Sequence, residues 1–331
     1  MFPLSVLDLV PVKIDKTPAD ALAESLELAQ HADALGYLRY WVAEHHNMVG
    51  IASAATSVVI GYLAAGTKKI RVGAGGIMLP NHSPLIIAEQ FGTLESLYPN
   101  RIDLGLGRAP GTDQLTWRAL RSDPRASDQF PQDVQELQGY FGPLKEGQNV
   151  QAVPGTNLNV PLWMLGSSLF GARLAAELGL PYAFASHFAP AALDQAFEQY
   201  RQLFEPSKQL KKPYAMACVS VIVADTNEEA EYLFTSMQQR FLGMIRNRRG
   251  KLLPPIDNIE DCWSPMEKAQ VESMLSCAFV GDSATVKEKL QHFINRTQAD
   301  ELIVNAGIFS QSARLHSYQL LADIGKELFH A

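Results

Sequence analysis

The residues of this chain that could do chemistry fall in four short stretches. In "WVAEHHN" (41–47), Glu44 precedes two adjacent histidines, His45 and His46, at the end of an apolar run. Imidazoles placed there could bind a metal, act as a general base, or simply close a strand. Neighbouring residues on a strand end point to opposite sides, so the pair seldom serves one ion, even with His187 as a third ligand. No metal site is expected.

"MLGSSLFGARLAA" (164–176) ends a strand at Gly166, continues through Ser167 and Ser168, and starts a helix near Leu169. A helix N-terminus offers free N–H groups and the positive end of the dipole, which suits a phosphate. Plain N-capping by either serine is an equally good reading of these residues. Arg108, in "GLGRAPG" (105–111), brings a planar, permanently charged fork matched to a phosphate, with a surface salt bridge as its other reading. Arg125 reads as a solvated side chain. "VGAGGIMLPNHSP" (72–84) carries Gly73, Gly75 and Gly76 inside a strand pattern. Three such glycines fit either a flat ring lying against the backbone or a bulge in the sheet.

These stretches need elements to position them, and the pattern of the chain supplies eight. Apolar, β-branched runs start at Leu4, Tyr37, Ile70 and Ile102, spaced 33, 33 and 32 residues apart, with helical patterns between. Further runs start at Pro161, Tyr182, Tyr214 and Glu301, each followed by an amphipathic stretch. Strand then helix at about 30 residues per unit indicates parallel βαβ construction. Eight units predict a (β/α)8 TIM barrel with insertions after strand 4 (111–155) and after strand 7 (247–280). No linker interrupts residues 1–331, so one domain is expected.

The alternative is an open, doubly wound sheet with "GLGRAPG" as its dinucleotide loop. The spacing is G-x-G-x-x-x-G with Pro110 inside, and no second strand ending in an acidic residue follows about 20 positions later, so the barrel is preferred. A barrel of this kind places its site at the C-terminal ends of the strands. There the chain sets glycines, small hydroxyls, Arg108 and several histidines, without the carboxylate cluster that a hydrolytic metal centre or a glycosidase needs.

Composition narrows the class. The 331 residues are 47% apolar and carry a net charge of −7 with no long basic block, which argues against nucleic acid as a partner. "RNRRG" (246–250) is the densest basic patch and reads as a solvated helix end. Three cysteines without C-x-x-C spacing fit a reducing compartment, and no apolar run is long enough to span a membrane; a cytoplasmic enzyme is expected.

With these pieces placed, the sequence resembles the bacterial luciferase-like flavin monooxygenases, in their stand-alone, non-luminescent form. The stretches "VAEHHN", "KIRVGAGGIMLPNHSP", "NRIDLGLGRAPG", "LGSSLFGARLAAELGLP" and "FVGDSATVKEKL" carry the likeness in the family's order. The resemblance implies a barrel that holds FMN, reduced by a separate NAD(P)H:flavin reductase, and uses O₂ to oxygenate a small organic substrate. His45 matches the histidine near the reactive edge of the flavin, a general acid or base expected to titrate near neutrality; Glu44 beside it is expected among the cofactor-binding residues, and His46 reads as a support of the rim. Gly75-Gly76 matches a non-proline cis peptide against the flavin ring. Arg108, Ser167 and Ser168 match phosphate-binding positions, Gly166 before them is also expected to bind the cofactor, and Leu169 and Phe170 offer backbone amides. Residues 247–280 match a lid. Gly107 replaces the cysteine of luciferase itself, so light emission and a long-chain aldehyde are not implied. A homodimer is expected, built on the small-residue helix 54–66. An F420-dependent hydride-transfer enzyme on the same barrel and a non-catalytic flavin-binding protein are the competing readings.

Overall fold

The β-branched runs form parallel strands because, covered by helices on one side and packed inside a barrel on the other, both faces are dry. The structure, a computed structural model, describes residues 2–109, 112–121, 123 and 125–329. Its strands are β1 (Leu4–Asp8), β2 (Arg39–Val42), β3 (Arg71–Met78), β4 (Ile102–Gly107), β5 (Leu162–Gly166), β6 (Tyr182–Phe184), β7 (Ala215–Val223), β8 (Ala278–Gly281) and β9 (Glu301–Asn305). Each of β1 to β6 pairs with the next, β6 pairs with β7, β7 with β9, and β9 with β1, all parallel. Those eight strands close the expected barrel.

β8 is a ninth strand that the spacing did not reveal. Ser220 of β7 has Asn305 of β9 as one partner and Ala278 of β8 as the other, while β6 pairs only as far as Ala217. β8 therefore takes over the edge of β7 where β6 stops.

The helices are α1 (Pro18–Leu35), α2 (Thr56–Gly66), α3 (Pro84–Leu97), α4 (Gln114–Ala119), α5 (Phe130–Phe141), α6 (Leu169–Glu177), α7 (Leu193–Leu203), α8 (Asn227–Ile245), α9 (Pro265–Met274), α10 (Ser283–Thr297) and α11 (Gln311–Gly325). α1 shows how local sequence sets its ends. Thr17 and Asp20 form a reciprocal capping box ahead of Pro18, and Gly36 takes a left-handed φ of 83° that stops the helix. Within the first insertion, α5 buries Phe130, Val134, Leu137 and Phe141, an i, i+4, i+7, i+11 stripe that packs on α3 and makes α5 the fourth barrel helix. That insertion begins at Gly111, which with Pro110 lies outside the described residues, as do Ser122 and Pro124.

The second insertion is longer than its sequence boundaries suggest. The pattern at 227–245 predicts the barrel helix that follows β7, yet the place in the helix ring between α7 and α11 is taken by α10. α10 packs on α11 and is tied to α7 by the Arg296–Asp194 ion pair and by Arg201 donating to the Thr297 carbonyl at 3.0 Å. α8 packs on β8, β7 and α9, and its last two turns reach the mouth of the barrel. An amphipathic helix has one apolar face whichever surface it covers, so periodicity alone cannot separate the two roles.

The opposite end of the barrel is plugged by charge. Arg39 donates to Glu301 Oε1 at 2.7 Å and to Asp103 Oδ2 at 2.8 Å, and its guanidinium lies 4.6 Å from the Trp163 ring centroid. Among the described residues, no helix is long and apolar enough to cross a membrane, and no group of three or more His, Cys, Asp or Glu could hold a metal ion.

Candidate active site

At the C-terminal ends of the strands a cavity of about 870 Å³ opens, near the upper end of the ordinary size for small-molecule sites. His45, Gly75, Gly76, Arg108, Gly166, Ser167, Ser168 and Phe170 all line it. Glu44 and Leu169 do not.

Glu44 instead anchors the wall beneath. It is 1% exposed; its Oε1 accepts from His46 Nε2 at 2.7 Å and from His82 Nε2 at 2.9 Å, and its Oε2 from the Met78 amide at 2.9 Å. Burial alone would raise its pKa. The hydrogen bond and charge of His82, with those from His46 and Met78, outweigh burial and hold the carboxyl below its ordinary range. The pair of histidines is thus divided as strand geometry requires, with His46 turned to Glu44 and His45 turned to the cavity.

His45 Nδ1 is buried and has no hydrogen-bond partner, and the same is true of His187 Nδ1 at the end of β6. Burial, then the positive charge of Arg240, push both imidazoles down to about 4. The expected titration near neutrality is therefore not met, and His45 is neutral at pH 7. A neutral imidazole can still accept a proton at one nitrogen and donate from the other.

Gly75 and Gly76 are joined by a cis peptide bond, and the ladder between β3 and β4 slips between Ala74 and Ile77. The bulge reading of this stretch holds, and its bare backbone lines the cavity. A Cβ on Gly76 would stand 2.7 Å from the Gly105 carbonyl oxygen, and one on Gly75 would stand 2.9 Å from Leu7 Cδ1.

Ser168 occupies the N-cap position of α6 with extended dihedrals, yet no side chain caps the helix. The capping reading therefore fails, and the first amides of α6 remain available beside two exposed hydroxyls. Leu169 does not line the cavity, and its partly buried side chain packs against the core. Arg108 makes no surface salt bridge to any described residue; its guanidinium stacks 4.0 Å from the Phe170 ring centroid, on the same helix end. Arg125 is 84% exposed and lies 3.8 Å from Asp123. Free amides, hydroxyls and a guanidinium meeting at one end of a cavity fit a phosphate, and the bare Gly75–Gly76 backbone fits a flat ring.

The family model for luciferase-like monooxygenases matches residues 4–301. The chain belongs to the luciferase-like monooxygenase family. It is 55% identical to a luciferase-like monooxygenase of Escherichia coli (strain K12), over 98% of this chain and 97% of that one. It is 32% identical to the N-acetyl-S-alkylcysteine monooxygenase of Bacillus subtilis (strain 168), over 98% of each. The solved structure of apo-MsnO8 superposes with a TM-score of 0.89 at 35% identity, covering both chains in full. Two more distant structures share the fold at a TM-score of 0.75 and 16% identity, and of 0.72 and 14%. The first is the oxygenating constituent of 3,6-diketocamphane monooxygenase in complex with FMN, and the second an F420-dependent secondary alcohol dehydrogenase with an F420-acetone adduct.

For a luciferase-like monooxygenase, one feature of the cavity was not legible in the sequence. Met237, Arg240, Phe241 and Met244 line it from α8 at i, i+3, i+4 and i+7, one face of the helix. Arg240 is half-buried, lines the cavity, and makes no hydrogen bond or ion pair to a described residue. Burial and the charge of Arg314 lower its pKa against the pull of Asp8, but a guanidinium stays charged. A charged residue interrupting an apolar stripe was the available signal. The patch 246–250 also reaches the cavity rim, through Arg246, Arg248 and Arg249.

Proposed function

We propose that the protein is a flavin-dependent monooxygenase that takes FMN reduced by a separate NAD(P)H:flavin reductase and uses O₂ to oxygenate a small organic molecule. The observation that supports this most is the meeting, on one cavity, of an uncapped helix N-terminus with free hydroxyls, a bare glycine pair and a neutral, unpartnered histidine.

Reduced FMN would supply the oxygen-activating chemistry. Ser167, Ser168, the first amides of α6 and Arg108 would hold its phosphate by charge-assisted hydrogen bonds. Gly75 and Gly76 leave backbone where any side chain would stand in the barrel wall or in the ring's place. His45 would accept or return a proton at Nδ1, its ring held toward the cavity because Glu44 engages its neighbour. α8 narrows the mouth and keeps water from the reacting atoms.

The test is stopped-flow mixing of the protein with photoreduced FMN and then with oxygenated buffer. A transient absorbance distinct from reduced and oxidised FMN, diminished in His45→Ala, is expected. Reoxidation no different from that of free FMN would remove the monooxygenase reading. Binding of FMN with unaltered reoxidation fits a non-catalytic flavin carrier, and tighter binding of reduced F420 than of FMN fits the hydride-transfer enzyme.

A further inference from the structure

The cavity holds far more positive charge than one phosphate requires. Among the described residues its lining includes Arg108, Arg240, Arg246, Arg248, Arg249 and Lys251, and no Asp or Glu, in a chain whose net charge is −7. Some of that charge is already engaged. Arg246 is bound to Glu267 at 2.7 Å, Lys251 donates to the Lys16 carbonyl at 2.8 Å, and Arg108 stacks on Phe170 at the helix end.

Arg240 is different. Its charge acts on His45 and His187, on the side of the cavity where the proton-handling nitrogens lie. The carboxylate whose charge acts on it, Asp8, and the buried Glu44 beside His45 are already satisfied. Asp8 is held by Arg314 at 2.8 Å, by the Tyr40 hydroxyl and by the Val10 amide at 2.9 Å, and Glu44 by its two histidines. A guanidinium half-withdrawn from water and left without a counter-ion costs free energy that a ligand's charge would offset. The same cavity offers apolar side chains, Met237 and Phe241 on its own helix and Phe188 beyond β6.

We propose that Arg240 is the anchor for a carboxylate on the substrate, so that the enzyme oxygenates small organic anions with an apolar body. This rests on the monooxygenase reading only for the word substrate; the anion site itself stands on Arg240 and the absence of acidic residues from the described lining. Arg248 and Arg249, exposed at the rim with no side-chain hydrogen bond or ion pair among the described residues, draw such anions toward the mouth.

The test is calorimetric titration of the full-length protein with hexanoate and with hexanamide, each with and without FMN. Wild type should bind hexanoate about tenfold tighter than the uncharged amide, the usual size of one charge-assisted contact. Arg240→Met should remove that preference and Arg240→Lys should restore part of it, with FMN affinity changed by less than about twofold, since no phosphate contact is touched. Equal binding of acid and amide by wild type overturns the proposal. So does an Arg240→Met protein that keeps the preference but loses FMN, because Arg240 would then serve the cofactor. Failure of wild type to bind FMN at all would sink the monooxygenase reading while the hexanoate titration still decides the anion site.

Discussion

The Nε2 of His46 lies 2.7 Å from Glu44 Oε1, so the second histidine of the pair belongs to the barrel wall while the first belongs to the cavity. Glu44 is the hinge of that division. Glu44→Gln should remove a buried charge that orders His46, His82 and the Met78 amide, and destabilise the fold by about 1–3 kcal/mol. Because the folded pKa of Glu44 lies below the ordinary 4.5, its contribution is complete above about pH 4.5 and is lost as pH falls through the folded value. Urea midpoints between pH 3 and 7 should therefore fall on the acid side in wild type and less steeply in the variant; identical curves would contradict the assignment.

His45 and His187 titrate at about 4 when folded against an ordinary 6.5. The unfolded chain thus takes up protons first, and both residues cost stability as pH falls from 6.5, with no further cost below about 4. The Cε1–H resonances of the two rings, assigned with His45→Asn and His187→Asn, should move only near pH 4. In Arg240→Met both midpoints should rise, because the charge that depresses them is gone. Midpoints unchanged by that substitution would mean that burial alone sets them.

Arg108→Met and Ser168→Ala should each weaken FMN binding by roughly ten- to a hundredfold, the scale of a lost hydrogen bond to a charged group. Riboflavin, which lacks the phosphate, should bind wild type and both variants alike. Equal losses for FMN and riboflavin would show that these residues do not meet a phosphate.

Gly76→Ala places a methyl group 2.7 Å from the Gly105 carbonyl, a backbone atom that cannot swing aside. A loss of about 1–3 kcal/mol is expected from overpacking of this kind, together with loss of flavin affinity. Thermal unfolding with and without FMN measures both. A variant as stable as wild type would mean that β3 and β4 can separate at the bulge.

A homodimer contact is proposed on the outer face of α2, where Val58 and Tyr62 stand 71% and 44% exposed. Light scattering should give twice the 36.4 kDa chain mass for wild type and a monomer for Val58→Glu. A monomeric wild type at micromolar concentration would exclude the contact.

The sequence by itself determined the barrel and most of the cavity's rim. Strand–helix spacing near 33 residues admits few other folds, and the C-terminal-end rule then gathers His45, Arg108 and Ser167–Ser168 without any knowledge of the tertiary contacts. It could also divide the two histidines, since adjacent side chains on a strand end diverge. Whether Ser168 caps α6 was open until its dihedrals and its lack of a capping bond were seen, because one serine suits either role. The titration of His45 depends on what is buried around it and on Arg240, nearly 200 positions away along the chain, and no local pattern encodes that. α8 marks the same boundary. Its apolar stripe has the period of any barrel helix, and only the packing of α10 against α7 and α11 shows that α8 lies over the mouth, where it carries an unpaired arginine into the site.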